Sequence, residues 1–173
     1  MFIKRKEFEV THSLISMKKI GVIGLGNMGS AVAKNILRAN FPLSVYDIRR
    51  EASDKLVEAG AVWKNSPREL INDVDIVVSM VFGPKEIEEV MKNEDGILQG
   101  NCNQKGWIDL TTSSPTLMRK LAKEFESLGG LPVDAPVTGS LDAAIRGDMI
   151  MFCLLYTSPS PRDATLSRMP SSA

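Results

Sequence analysis

Residues 19–29 read KIGVIGLGNMG, a short apolar strand that runs directly into Gly24-x-Gly26-x-x-Gly29 and then into a helical pattern. The three glycines alone are a weak signal, and the strand before them and the helix after them give the pattern its weight. The first glycine permits a tight turn, the second lets backbone approach a pyrophosphate, and the third lets the helix pack on the strand. Phosphates would rest on the helix N-terminus, whose amides and dipole favour negative charge. The loop Gly24, Leu25, Gly26, Asn27, Met28 and Gly29 is therefore read as a dinucleotide cradle.

The context supports that reading. Pro42 to Tyr46 (PLSVY) forms a second strand after a helix of roughly 11 residues, a length suited to a parallel crossover. Asp47 ends that strand, about 18 residues beyond Gly29, where a carboxylate can accept hydrogen bonds from a ribose 2′-hydroxyl and repel a 2′-phosphate.

The chain has 173 residues, 43% of them hydrophobic, enough for one globular domain with a sizeable core. Lys plus Arg and Asp plus Glu balance at 21 each, so no net field recruits nucleic acid or a membrane surface. No apolar run approaches the roughly 18 residues that span a bilayer. Cys102 and Cys153 lack metal-ligand spacing, which fits a reducing compartment and offers no zinc site. His12 is the single histidine and precedes the first strand, which argues against acid–base chemistry by histidine.

Between residues 17 and 152 strand and helix patterns alternate, the order of a doubly wound parallel sheet with helices on both faces. A helix about Met28 to Ala39 places Val32, Ile36 and Ala39 on one face. A second, about Glu51 to Glu58, ends at Gly60. Ser66-Pro67-Arg68-Glu69 has the form of a capping box and opens a third. Asp75 to Met80 reads as a buried central strand. The loop Val81-Phe82-Gly83-Pro84 after it either flanks a cofactor at the strand's carboxyl end or is a plain connection. A helix about Pro84 to Lys92, a strand Gly106 to Leu110 and a helix about Pro115 to Leu128 follow, the last striped by Leu117, Leu121, Phe125 and Leu128. A further strand, about Leu131 to Asp134, leads into Ala135-Pro136-Val137-Thr138-Gly139-Ser140, and another begins about Met149.

Three segments together, IGVIGLGNMG, DLTTSSP at Asp109 to Pro115 and DAPVTGS at Asp134 to Ser140, resemble the N-terminal domain of the β-hydroxyacid dehydrogenases, the family of 3-hydroxyisobutyrate dehydrogenase, tartronate-semialdehyde reductase and, more distantly, 6-phosphogluconate dehydrogenase. The third segment usually reads DAPVSGG there; Thr138 keeps the hydroxyl and Ser140 stands in place of glycine. The resemblance implies a Rossmann-like α/β domain over residues 17–152. It implies that Met80 and Val81 line the adenosine side of the cofactor, that Thr112 hydrogen-bonds it nearer the nicotinamide, and that Thr138, Gly139 and Ser140 hold the substrate carboxylate. Thr111 and Ser113 could equally cap a helix, and the turn at 138–140 could equally be only a turn. Asp47-Ile48-Arg49 favours NAD, because NADP-preferring members tend to carry Asn-Arg-Thr there, although Arg49 leaves NADP possible.

By the same resemblance, hydride passes between a small 3-hydroxy acid or semialdehyde and the nicotinamide while a lysine exchanges the hydroxyl proton, and the full-length protein is a homo-oligomer. That lysine belongs to a helix beyond DAPVTGS that leads into an all-α domain. Lys105, Lys120 and Lys123 do not match it and read as solvated surface residues, so no catalytic residue and no metal ligand is assigned. The segment from Cys153 to Ala173 loses periodicity, and CLLYTSPSPRD resembles the translation of a transposase-type sequencing-library adapter, with SRMPSSA resembling the flow-cell end that follows. The expectation is a non-native tail at 153–173 and a fragment inactive on its own, its missing C-terminal all-α domain leaving an apolar patch exposed. Residues 1–16 read as an extension, either an upstream in-frame read or a floppy arm. Two alternatives stand beside the dehydrogenase reading: a 6-phosphogluconate dehydrogenase-type enzyme, and a nucleotide-binding module without turnover.

Overall fold

The structure, a computed structural model, describes residues 18–152. His12, the extension at 1–16 and the tail at 153–173 lie outside the described residues. Six strands, β1 (Ile20–Ile23), β2 (Leu43–Tyr46), β3 (Val62–Trp63), β4 (Ile76–Ser79), β5 (Gly106–Asp109) and β6 (Leu131–Asp134), form one sheet in the order β3-β2-β1-β4-β5-β6. Every pair is parallel. The strand order reverses beside β1, the place where open α/β sheets gather ligands.

Alternation along the strands builds two cores. Ile23, Val77 and Trp107 face α3 (Pro67–Asp73), α4 (Pro84–Lys92) and α5 (Pro115–Ser127), packing with Leu70, Ile71, Ile87, Met91, Met118, Leu121 and Phe125. Val22, Val45 and Val78 face the opposite way, against α1 (Asn27–Arg38) and α2 (Asp54–Glu58) through Ala33 and Leu56. Burial on both faces explains why the strands read as nearly continuous apolar runs.

The capping box at Ser66 forms, with a variation. The Glu69 amide donates to Ser66 Oγ at 3.0 Å, while the Glu69 carboxylate reaches back one residue further than usual, to the Asn65 amide at 2.9 Å. α4 spans the segment read from the sequence, and Gly60, at φ 106°, closes the turn after α2.

Three readings need correction. Ala39 is exposed, because α1 stops at Arg38 and Ala39 is its C-cap, where the chain turns towards β2. Leu128 caps α5 and is 44% exposed; the buried stripe is Met118, Leu121, Ala122 and Phe125, one step round the helix. Lys105 is half-buried, and its ammonium donates to the Ile71, Asn72 and Val74 carbonyls at 2.6, 3.2 and 2.6 Å, satisfying the C-terminal end of α3. Lys120 and Lys123 are exposed, as read. Four short features escaped the sequence reading: β3, the turn of 3₁₀ helix Ile97–Gln99, the strand β7 (Val137–Thr138) and α6 (Leu141–Arg146). β7 pairs antiparallel with β8 (Ile150–Met151), the strand expected from about Met149.

Candidate cofactor site

β1 leaves the sheet at Gly24, whose φ of 90° lies in the left-handed region. A Cβ at Gly24 would collide with the Met80 carbonyl just beyond β4, and one at Gly29 would collide with the Gly24 carbonyl. These two glycines let strand, loop and helix close on one another. Gly26 differs. Its φ of −63° suits any residue, and a Cβ there would meet nothing within 4 Å. Gly26 is also the N-cap of α1 and offers no side chain to its amides, whereas Ser66 and Ser140 cap α3 and α6. The start of α1 is thus a set of uncapped amides behind open space, a fit for a pyrophosphate.

Asp47 sits beside this loop and is 9% exposed. The Leu25 amide donates to its Oδ2 at 2.7 Å and the Arg49 amide to its Oδ1 at 2.9 Å, with the Arg49 guanidinium 3.7 Å away. The carboxylate therefore ties the glycine loop to the end of β2 and is oriented before any ligand arrives.

A cavity of about 750 Å³ opens here. Gly24, Gly26, Asn27, Met28, Gly29, Asp47, Ile48, Arg49, Met80 and Val81 all line it, so the structure brings these sequence-assigned residues to one place. Leu25 instead faces an adjoining cavity of about 500 Å³, shared with Gly26, Asn27 and Arg49. Ile48 and Phe82 are almost fully exposed on the rim of the larger cavity, and Tyr46, Asn65, Ser66, Glu86, Glu89 and Asp95 are among the residues that also line it. These last were not assigned from the sequence; Tyr46 ends β2, and the others come from turns and a helix face whose local pattern shows only capping and amphipathicity. Burial, reinforced by Asp47 and Asp95, pushes the Tyr46 phenol up from its ordinary value.

Thr112 is exposed and lines neither cavity. Its neighbour Thr111 is buried and does not cap α5: its hydroxyl donates to Asp109 Oδ1 at 2.8 Å and accepts the Val81 amide at 3.2 Å. Ser113 Oγ is buried without a hydrogen-bond partner, and the N-cap of α5 is Ser114. Thr138 ends β7, Gly139 has φ 142°, and Ser140 begins α6 with its Oγ accepting the Ala143 amide at 3.2 Å. A serine therefore suits the place where the resembling family has glycine: Ser140 has φ −80° and serves as a cap. The three residues line neither cavity.

Among the described residues no helix is long and apolar enough to cross a membrane, and no group of three His, Cys, Asp or Glu side chains could hold a metal ion.

Residues 19–153 match the family described as the NAD binding domain of 6-phosphogluconate dehydrogenase. The chain is 34% identical over 139 residues to the mitochondrial 3-hydroxyisobutyrate dehydrogenase of Mus musculus, covering 80% of this chain and 42% of that one. It is 35% identical over 133 residues to the NAD-dependent L-serine dehydrogenase of Pseudomonas aeruginosa, covering 77% and 45%. The crystal structure of 3-hydroxyisobutyrate dehydrogenase from Salmonella typhimurium superposes with a TM-score of 0.73 at 27% identity, over 79% of this chain and 47% of that one. The chain thus spans less than half the length of these relatives. Glycine cradle, oriented aspartate and profile agree: the chain belongs to the family of the NAD-binding domain of 6-phosphogluconate dehydrogenase, the nucleotide-binding part of the β-hydroxyacid dehydrogenases.

Proposed function

We propose that the chain binds NAD in the larger cavity, as the nucleotide-binding part of an oxidoreductase acting on a small 3-hydroxy acid or semialdehyde. The observation that carries this reading is Gly26: its missing side chain serves no packing need and keeps clear the space in front of the uncapped α1 amides. The bound nicotinamide would supply the hydride acceptor. The chain's own residues would hold and orient it, the α1 amides at the pyrophosphate, Asp47 at the adenosine ribose, and Met80 and Val81 along the dinucleotide.

NAD is preferred over NADP. Asp47, Glu86, Glu89 and Asp95 surround the adenosine end, where among the described residues Arg49 is the cation lining the cavity, and a 2′-phosphate added there meets net repulsion. Substrate is assigned to the carboxyl edge of β6, with its carboxylate at Thr138, Gly139 and Ser140, supported by the relatives' names and by the Gly139 turn. Among the described residues no lysine lines the larger cavity, so cofactor binding is the property to test first. The whole protein would work as a homo-oligomer with the proton-exchanging lysine in its further part.

Calorimetric titration of the chain with NAD and with NADP, paired with thermal melting, decides the matter. Saturation by NAD with a raised melting midpoint is expected, the gain reaching about 2.7 kcal/mol at a hundredfold excess over Kd. No heat and an unmoved midpoint at millimolar NAD would remove the reading.

A further inference from the structure

The last register row on the α3–α5 face of the sheet sets Ser79, Asp109 and Asp134 side by side on β4, β5 and β6. Neighbouring strands run about 4.8 Å apart, so the two carboxyls leave adjacent backbones on one face. Asp109 has no solvent exposure, and Asp134 has 7%. Asp109 Oδ1 accepts from the Ser79 and Thr111 hydroxyls, Ser79 Oγ in turn accepts from Trp107 Nε1 at 2.8 Å, and Thr111 Oγ1 accepts from the Val81 amide at 3.2 Å. Asp109 Oδ2 is buried with no hydrogen-bond partner.

A bare, buried carboxylate oxygen next to a second carboxylate is a costly arrangement, and the ordinary remedy is a proton. Burial, with Asp134 adding to it, pushes the Asp109 carboxyl up to about 7 against the lowering hydrogen bonds from Ser79 and Thr111. Asp134 is the charged side chain acting on it; α4 and α5 turn Ile87, Met91, Met118, Leu121 and Phe125 towards this face.

We infer that Asp109 is a positioning residue of the cofactor cleft: it keeps a proton on Oδ2, beside Asp134, so that Oδ1 stays fixed on Thr111 and Thr111 fixes the Val81 amide in the cleft wall. The inference rests on the cofactor reading for its purpose and on the carboxyl row for its geometry. Losing the proton sets two negative charges side by side. The Asp109 carboxylate then turns towards water, Thr111 loses its acceptor, and the Val81 wall loosens.

Hydrogen exchange at the Val81 amide, followed by NMR on the full chain, reads this directly. In the wild type, protection corrected for intrinsic exchange should fall roughly tenfold or more between about pH 6 and pH 8.5. Asp109→Asn, which mimics the protonated acid, should hold protection constant across that range, and Thr111→Val should lack it at both values. In parallel titrations Thr111→Val should weaken NAD binding about tenfold at either pH. A wild type whose Val81 protection does not depend on pH, or a Thr111→Val variant that keeps it, overturns the inference. If the exchange behaves as stated while the wild type binds no NAD, the proton-held wall stands and the cofactor assignment falls.

Discussion

The three glycines of the cradle share a motif and divide into two kinds. Gly24 and Gly29 are required by the fold, since a side chain at either strikes backbone; alanine there should cost at least about 1–3 kcal/mol of stability. Gly26→Ala meets no atom, so its stability should fall by only roughly 0.5–1 kcal/mol, the difference between glycine and alanine at an N-cap. NAD affinity should nonetheless drop at least tenfold. Melting and titration of the three variants separate the cases, and a Gly26→Ala variant with unchanged NAD affinity would show that no phosphate rests there. Asp47 makes a second case. Its place beside the glycine loop was legible from its position at the end of β2, but its bond to the Leu25 amide was not, because that contact joins residues 22 apart through the turn of the chain. Asp47→Asn keeps one acceptor and loses the charge, so NAD affinity should fall roughly ten- to hundredfold. NADP, freed of one repulsion, should lose less, and the measured NAD-to-NADP affinity ratio should narrow.

Among elements, α3 shows how a short helix is secured from outside itself. Its seven residues are too few to be stable alone. Ser66 and Glu69 fasten its start, which the sequence announces as a local four-residue pattern. Its end carries Asp73, an acid at the unfavourable pole of the dipole, and there the support comes from afar: Lys105 from the approach to β5, Lys19 at the head of β1, Lys64 beyond β3. Lys105 looked like a surface residue because nothing near it in sequence shows three carbonyls waiting. Lys105→Ala should destabilise the chain by roughly 1.5–3 kcal/mol, as charged hydrogen bonds to carbonyls are lost, measured as a lower urea midpoint at unchanged slope. The longer elements were legible for the opposite reason. β1, β4 and α4 carry their period and their boundaries within their own residues, whereas β3, β7 and α6 exist through pairing or packing that only the assembled chain supplies, as when Asn35 on α1 donates to the Ala144 carbonyl of α6 at 2.7 Å. The Ser79, Asp109 and Asp134 row left a faint trace that could have been followed: three apolar strands that each end on a polar residue.

Across the whole molecule, the two edges of the sheet respond to pH in opposite senses. At the amino edge Asp73 is 26% exposed; burial pushes its carboxyl up, but hydrogen bonds from Lys19, Lys64 and Ser44 outweigh burial and hold it well below the usual carboxylate range. Its contribution is present above the unfolded value near 3.8 and is lost as pH falls below it. At the carboxyl edge Asp109 is raised from 3.8 to about 7, so the folded state binds the extra proton between those values. That contribution is whole below about pH 3.8, declines as pH climbs, and is spent once pH passes about 7. Stability should therefore be greatest at mildly acidic pH, near where the two windows meet, and should decline towards neutrality. Melting curves from about pH 2.5 to 8.5 test both limbs at once. Asp109→Asn should flatten the decline between about pH 4 and 7.5 and leave the acid limb alone, while Asp73→Asn should lower the midpoint at neutral pH and make the acid limb shallower. Because Asp73 binds its lysines at one edge and Asp109 its proton at the other, the double variant should show the two changes added together; an Asp109→Asn protein that still loses stability between pH 4 and 7.5 as the wild type does would place that titration elsewhere in the fold.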